Sequence, residues 1–277
     1  SDGIDNYNIT TADAITQIDE TDDAQYPASN LGPICYLDEM LFQGQSDGDI
    51  WNTDVASYTA WSATSVKRTP RKGSALEALR VQRDQIIAFY KNYIDFYFNN
   101  GNPTGSPLLR HEQNGLDFGL AAKETLAWSG SVCMFVGENS SGGDGGRSVW
   151  MITSLSKVSE VSNASINRFL RNEGTSISSA TAWMERVAGQ LIYVLNLSSA
   201  NRTFVYNVDN PGWCEWEIAA GSAKFNSIAA TSLNGTVYVQ DATNGRIYTL
   251  IPTTFQDGGS NFTVTLQPGE SDLGTDN

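Results

Sequence analysis

The sequence predicts an all-β protein, a β-propeller-like array of antiparallel four-stranded blades with short inter-blade helices. Three observations carry that reading. Short runs of aromatic and β-branched residues, each closed by Gly, Asn, Ser or Pro, recur along most of the chain, as antiparallel strands and tight turns require. A turn separating an outer apolar run from an aromatic one recurs at Asp38-Glu39, Lys91-Asn92, Ser129-Gly130, Ala188-Gly189 and Asn234-Gly235. The repeating unit is roughly 40 to 55 residues with three or four strands, the period of kelch- and WD-type blades.

Taken in order, residues 1–30 hold a strand at Asn6–Thr10 and an acidic, Pro-containing connection. Residues 31–252 hold the blades, about five motifs at that period. The densest stretch runs from Asp84 to Leu170, with strands expected at Asp84–Tyr90, Tyr93–Asn99, Ser106–His111 and Gly115–Gly119, then at Glu124–Trp128, Val132–Gly137, Arg147–Thr153 and Lys157–Val161. The strands after the recurring turn are Met40–Gln43, Tyr93–Phe98, Ser131–Val136, Gln190–Leu195 and Thr236–Gln240. A polar loop and a third strand follow each, at Asp49–Asn52, Ser106–Arg110, Arg147–Ile152, Arg202–Val208 and Arg246–Leu250.

Two segments break the strand pattern. Ser74–Val81 sets Leu76 and Leu79 at helical spacing, and Ser162–Arg171 puts Ile166, Phe169 and Leu170 on one face with Ser162 as N-cap. Residues 253–277 hold one more strand, Asn261–Leu266, and a disordered acidic tail. A blade has apolar faces that neighbouring blades cover, so most of Trp51, Trp61, Trp128, Trp150, Trp183, Trp213 and Trp216 are expected to pack between blades.

Composition narrows the function classes. With 17 Lys+Arg against 31 Asp+Glu, the net charge is −14, a poor endowment for gripping phosphate backbones. Apolar runs such as Val132–Gly137 and Gln190–Leu195 fall far short of the roughly 18 residues of a membrane span, and no basic-then-apolar signal segment is visible. Cys35, Cys133 and Cys214 are an odd count without C-x-x-C spacing, each in an expected strand, and read as buried free thiols. That suits a reducing compartment, against which stand N-x-S/T sequences at Asn8, Asn139, Asn163, Asn196, Asn201, Asn234 and Asn261.

Catalytic ingredients are scarce. His111 is the only histidine and no serine sits in Gly-x-Ser-x-Gly, so a Ser-His-Asp hydrolase is disfavoured. Zinc-ligand spacing is absent, and Ser46-Asp47-Gly48-Asp49 lacks the downstream Glu of a calcium loop and reads as a β-turn. Ser140–Arg147 is followed by a strand rather than a helix and reads as a hairpin tip, so no cofactor is expected. The best enzyme case is a glycan-cleaving or glycan-binding propeller with paired carboxylates over a funnel, but the sialidase-type repeat is approached only by Ser46–Trp51, with failed spacing.

One ordered set of motifs goes further. Ala60-Trp61-Ser62-Ala63, Val81–Phe89, Tyr93–Phe98, Asn100-Gly101, Ser106–Arg110, Gly115, Gly119, Ala121-Ala122, Val132–Gly137, Gly142–Val149 and the helix after Val158, then Gln190–Tyr193, Thr203–Val208 and Trp213–Trp216, resemble the tail-nozzle or packaged-DNA stabilisation proteins of short-tailed bacteriophages. The likeness spans Pro27 to Ile218. Departures are Ser106-Pro107-Leu108-Leu109 where the family has aromatic-Pro-aromatic, Phe135-Val136-Gly137 where it has Trp-Leu-Gly, and the family's further blades before the equivalent of Pro27.

The resemblance implies a non-enzymatic virion protein of the tail, made in the host cytoplasm. It implies a homo-oligomeric ring, commonly a hexamer, below the portal and adaptor, with tail fibre or needle proteins as further partners. Such a channel retains packaged DNA and passes it at ejection, without tight binding and without membrane insertion. Asp47, Asp49, Glu112 and Asp117 are loop acids that are candidates for the lumen in such a reading, with plain solvated surface as the alternative. A glycan-active propeller is the alternative, and a cellular scaffold propeller with a peptide-binding face is a third reading.

Overall fold

The computed structural model describes residues 6–9, 15–19, 21, 23–27, 31–68, 74–102, 104–139, 146–154, 157–218, 224–251, 256–257 and 260–261. The chain divides into two compact units, Ser1–Trp183 with Leu197–Ala200, and Met184–Asn196 with Asn201–Asn277.

The first unit opens on a small hairpin, β1 (Asn6–Ile9) and β2 (Ile15–Ile18). Three antiparallel sheets follow. The first is β3 (Leu31–Leu37), β4 (Met40–Gln45), β5 (Ile50–Thr53) and β6 (Trp61–Lys67), and the second is β7 (Leu76–Gln82), β8 (Gln85–Tyr90), β9 (Ile94–Asn99) and β10 (Leu108–Arg110). The third has β11 (Gly119–Leu120) and β12 (Ala127–Ser129) both beside β13 (Val132–Asn139), then β14 (Gly146–Ser154) and β15 (Lys157–Glu160). Spatial order follows chain order in the first two sheets, the meander that makes a propeller blade.

Aromatic cores lie on both faces of the second sheet. Ile86, Ala88, Tyr90 and Tyr97 join Leu37, Met40, Phe42 and Ile50 of the first sheet, whereas Ile87, Phe89, Ile94 and Phe96 join Leu120, Cys133, Phe135 and Ile152 of the third. Successive residues of a strand point to opposite faces, so β8 must be apolar at nearly every position to serve both cores. Gly119 permits a close approach between the second and third sheets: a Cβ there would stand 2.2 Å from the Lys91 carbonyl. The helix α1 (Ala164–Asn172) follows β15 and buries Ile166 and Leu170.

In the second unit, β16 (Thr181–Val187), β17 (Gln190–Leu197), β18 (Arg202–Asn207) and β19 (Gly212–Trp216) form a four-stranded sheet whose first and second strands reach the unit boundary. A three-stranded sheet follows, β20 (Ser227–Leu233), β21 (Thr236–Asp241) and β22 (Ile247–Leu250), then the short pair β23 (Gln256–Asp257) and β24 (Ser260–Asn261). Thr203 Oγ1 donates to Asn196 Oδ1 at 2.6 Å and the Asn196 amide donates to Ser227 O, so the buried polar side chains satisfy one another.

The fold is all-β, with antiparallel blades and one α-helix among the described residues, as expected. Several local expectations change. Ser74–Val81 is not helical, because Leu76–Gln82 is the first strand of its sheet; a register shift between Leu76 and Ala78 brings Leu76 and Leu79 to one face at a helix-like interval. That strand shifts the phase of the blade, so Arg83-Asp84 is the equivalent of Asp38-Glu39, Lys91-Asn92 is the next turn, and Ser106–Arg110 contributes a fourth strand rather than a third.

Of the expected strand Gly115–Gly119 only Gly119 is in a strand, β11; the rest is a connection that touches the second sheet by the Ile94–Leu116 bridge, and Glu124–Trp128 splits into the 3-10 turn Lys123–Thr125 and β12. The N-cap of α1 is Asn163, whose Oδ1 accepts from Ile166 N at 3.0 Å, while Ser162 Oγ accepts from Val149 N. Cys133 is buried, Cys35 half-buried and Cys214 exposed on the edge strand β19, so burial holds for only part of the set. Trp61 and Trp183 are buried, but Trp128 is exposed under the Arg80 guanidinium, 3.8 Å from its ring centroid. Of the expected hairpin tip Ser140–Arg147, Gly146 and Arg147 begin β14 and residues 140–145 lie outside the described residues; of the expected strand Asn261–Leu266, Asn261 is in β24, and residues 262–277, with the acidic tail, lie outside the described residues.

Candidate functional site

Asp47 and Asp49 belong to the β4–β5 turn. Gly48, at φ 100°, donates to Gln45 O at 2.9 Å, and Gln45 N donates to Asp49 O at 2.8 Å. Asp47 Oδ1 accepts from Asp49 N at 3.1 Å, so the carboxylate braces its own turn and remains exposed. Asp49 points inward, is buried, and is held by the exposed Arg68 at 2.7 Å.

The turn rests on a tyrosine cluster of the second sheet. Tyr90 Oη donates to Gly48 O at 3.1 Å and lies 3.5 Å from the Tyr97 hydroxyl, with the Tyr93 ring stacked on Tyr90 at 4.2 Å. Burial pushes the Tyr97 phenol well above its ordinary range, partly offset by its hydrogen-bond contact with the Tyr90 hydroxyl. Tyr97 therefore stays a neutral hydrogen-bonding group.

Beside Tyr97 lies Asp95, a completely buried carboxylate on β9. Arg110 at the end of β10 reaches it at 3.4 Å and extends its other amine to Glu112. Burial works against the Arg110 charge, but Asp95 and Glu112 outweigh it and raise its pKa. Arg110 thus stands between one buried acid and one exposed acid. A glycoside-cleaving pair needs both carboxylates open to the sugar, and Asp95 is closed to solvent.

Glu112 and Asp117 are both exposed, in the connection from β10 to β11. Three of the predicted acids, Asp47, Asp49 and Glu112, therefore border one network of turn, tyrosines and arginine. Asp117 lies after the Leu116 bridge, farther along the same connection. Sequence reasoning missed Asp95, although a charged residue within Ile94-Asp95-Phe96-Tyr97-Phe98 is itself a signal, since an acid among buried aromatics demands a cation.

Histidine 111 is structural in character. His111 N donates to Phe96 O at 2.8 Å and its ring lies 4.6 Å from Phe98, with Nε2 buried and unbonded. Burial pushes the Cys35 and Cys133 thiols up to about 12, against the opposing pull of Arg80, so neither is a thiolate at neutral pH. Among the described residues, no three of His, Cys, Asp and Glu gather as a metal site, and no helix is long and apolar enough to cross a membrane.

The network is thus a hydrogen-bonded support beneath acidic loops. In comparisons with known proteins, no curated sequence matches. Among solved structures, BamB from Moraxella catarrhalis is similar at 12% identity, over 88% of this chain and 70% of that one, with a TM-score of 0.44. Hsv2 from Kluyvelomyces marxianus is similar at 10% identity, over 92% and 69%, with a TM-score of 0.49. These distant likenesses carry no argument about function. The family model described as "Bacteriophage P22 Gp10, beta-propeller" matches residues 3–255, and the chain belongs to that family of phage structural proteins.

Proposed function

We propose that this protein is a tail-nozzle component of a short-tailed phage, which retains packaged DNA below the portal and forms the channel for its ejection. Membership of the P22 Gp10 family, matched over residues 3–255, is the observation that carries this reading. Residues 31–252 serve as the blade array, flanked by 1–30 and 253–277. The role is mechanical and needs no catalysis or cofactor. Copies assemble into a ring, a hexamer, that sits in the virion tail between the portal-adaptor ring and the fibre or needle proteins.

The net charge of −14 supports the conduit. Duplex DNA carries about one negative charge per 1.7 Å, and a basic wall would hold the phosphates the channel must release. Asp47, Glu112 and Asp117 are the exposed acids assigned to the lumen, with Asp49 locking the turn that presents Asp47. At physiological salt their repulsion reaches roughly 8 Å, enough to keep a passing duplex from adhering without obstructing it.

The test is electron cryomicroscopy of the natively isolated assembly, read for rotational symmetry. A closed ring with a lumen wide enough for duplex DNA, lined by these loops, is the expected result. Particles containing one copy and no channel would overturn the nozzle, and glycan binding would then be screened.

A further inference from the structure

We propose that the arginine face of α1 docks on an acidic, aromatic patch at the β3–β4 turn of a neighbouring copy of this chain. This rests on the ring reading above and names the contact that builds the ring. The helix buries Ile166 and Leu170 and turns Arg168 and Arg171 to solvent, three residues apart on one face. Neither guanidinium has a carboxylate partner among the described residues, in a chain whose acids outnumber its bases 31 to 17.

The patch has the complementary chemistry. Tyr36 and Tyr58 lie with ring centroids 6.3 Å apart and are 51% and 52% exposed, beside Val55 at 64%. Asp38, Glu39 and Asp54 supply exposed carboxylates around them. A guanidinium gains from both partners at once, stacking on the phenol faces and hydrogen-bonding the acids.

The patch is also held in shape. Asp38 and Glu39 both adopt left-handed backbone, at φ 49° and 61°, where a hairpin ordinarily places Asn or Gly. Ala56, at φ 56°, donates its N–H to Glu39 O at 2.9 Å, tying the second loop to the turn. The Asn99 amide donates to Asp38 Oδ2 at 2.9 Å and fixes that carboxylate. A surface ordered before contact loses little entropy on binding.

Within one copy the two surfaces cannot meet. The patch is on the first sheet, α1 follows the third, and the second sheet stands between them with a core on each face. Contact between copies is therefore head-to-tail, and a repeated head-to-tail contact closes into a ring when its rotation permits. A nucleic acid would occupy the arginines and leave the patch uncovered. A second copy covers both.

The experiment is mass photometry and sedimentation velocity of the full chain at several salt concentrations, with charge reversals on each side. R168E/R171E and E39K/D54K are each expected to weaken assembly at least about tenfold, and their combination to restore it, as exchanged charge pairs do. Y36A/Y58A is expected to weaken assembly while leaving the circular dichroism unchanged. Wild-type protein that stays monomeric overturns the ring reading and this contact with it. Rings that ignore R168E/R171E overturn the contact alone, as does a combined variant that assembles no better than its parents. Unchanged rings with loss of binding to a duplex DNA probe would assign the arginines to nucleic acid and overturn it likewise.

Discussion

Strands β8 and β21 are both six residues long and both lie inside their sheets, yet they are written differently. In β8, Ile86 to Tyr90 are buried without a break, and the side chains alternate between two separate cores. In β21, Val237 and Val239 are buried, while Thr236, Tyr238 and Gln240 between them are partly or fully exposed. Among the described residues, the sheet of β8 packs on both faces, and β21 buries alternate residues on one. Sequence periodicity therefore reports how many faces of a blade are covered, beyond whether the segment is a strand.

The largest effect expected is in the doubly covered region. Phe135 is fully buried, with its ring edge-on to Phe89 at 5.2 Å, so Phe135→Ala should cost about 3–5 kcal/mol. Urea unfolding followed by Trp fluorescence reads it, and a loss below about 1 kcal/mol would break the comparison. Arg110→Met leaves Asp95 buried without its cation and should cost about 2–4 kcal/mol, somewhat reduced because Arg110 retains contact with solvent. Hydrogen exchange of the β9 amides measures this locally; unchanged protection would mean the pair contributes nothing.

In the singly covered sheet the scale falls. Val239→Ala removes two methyl groups against one core and should cost about 1–2 kcal/mol, with faster exchange confined to β20–β22. A loss equal to that of Phe135→Ala would erase the distinction.

The smallest effect is electrostatic. Asp209 accepts from Leu191 N at 2.8 Å and Arg186 at 2.9 Å, and the backbone bond first, then the arginine, hold its pKa below the ordinary carboxylate range against slight burial. A lowered folded-state pKa means the contribution is complete above the ordinary carboxylate range and is lost as pH falls through the lowered value. Asp209→Asn should therefore lower stability slightly at neutral pH, with the difference from wild type shrinking as pH falls below roughly 4, so that the acid limb of the profile flattens. A difference of equal size at neutral and at low pH would contradict the assignment.

Much of the fold was legible because strand and turn signals are local. The hairpins at Asp38-Glu39, Ala188-Gly189 and Asn234-Gly235 carry left-handed residues at the positions the recurring turn marks. The supporting site was less legible. Asp47, Asp49, Glu112 and Asp117 were visible as loop acids, but that Asp49 turns inward to Arg68 whereas Asp47 faces out depends on the turn geometry. Nothing local announces that Arg110 spans Asp95 and Glu112, although the isolated acid in an aromatic strand hinted at a partner.

By itself the sequence determined the all-β class, the strand-turn rhythm, the acidic charge and the order of motifs that marks the family. These follow from side-chain shape, turn chemistry and charge, which act over a few residues or over the whole composition. Tertiary structure alone decided that Leu76–Gln82 is a strand, since Leu76 and Leu79 suit either element until a bulged pairing with β8 puts both into one core. It also decided that Asn163 rather than Ser162 caps α1, because Val149 claims the serine hydroxyl. In each case local preference was nearly balanced, and a contact with a residue distant in sequence supplied the difference.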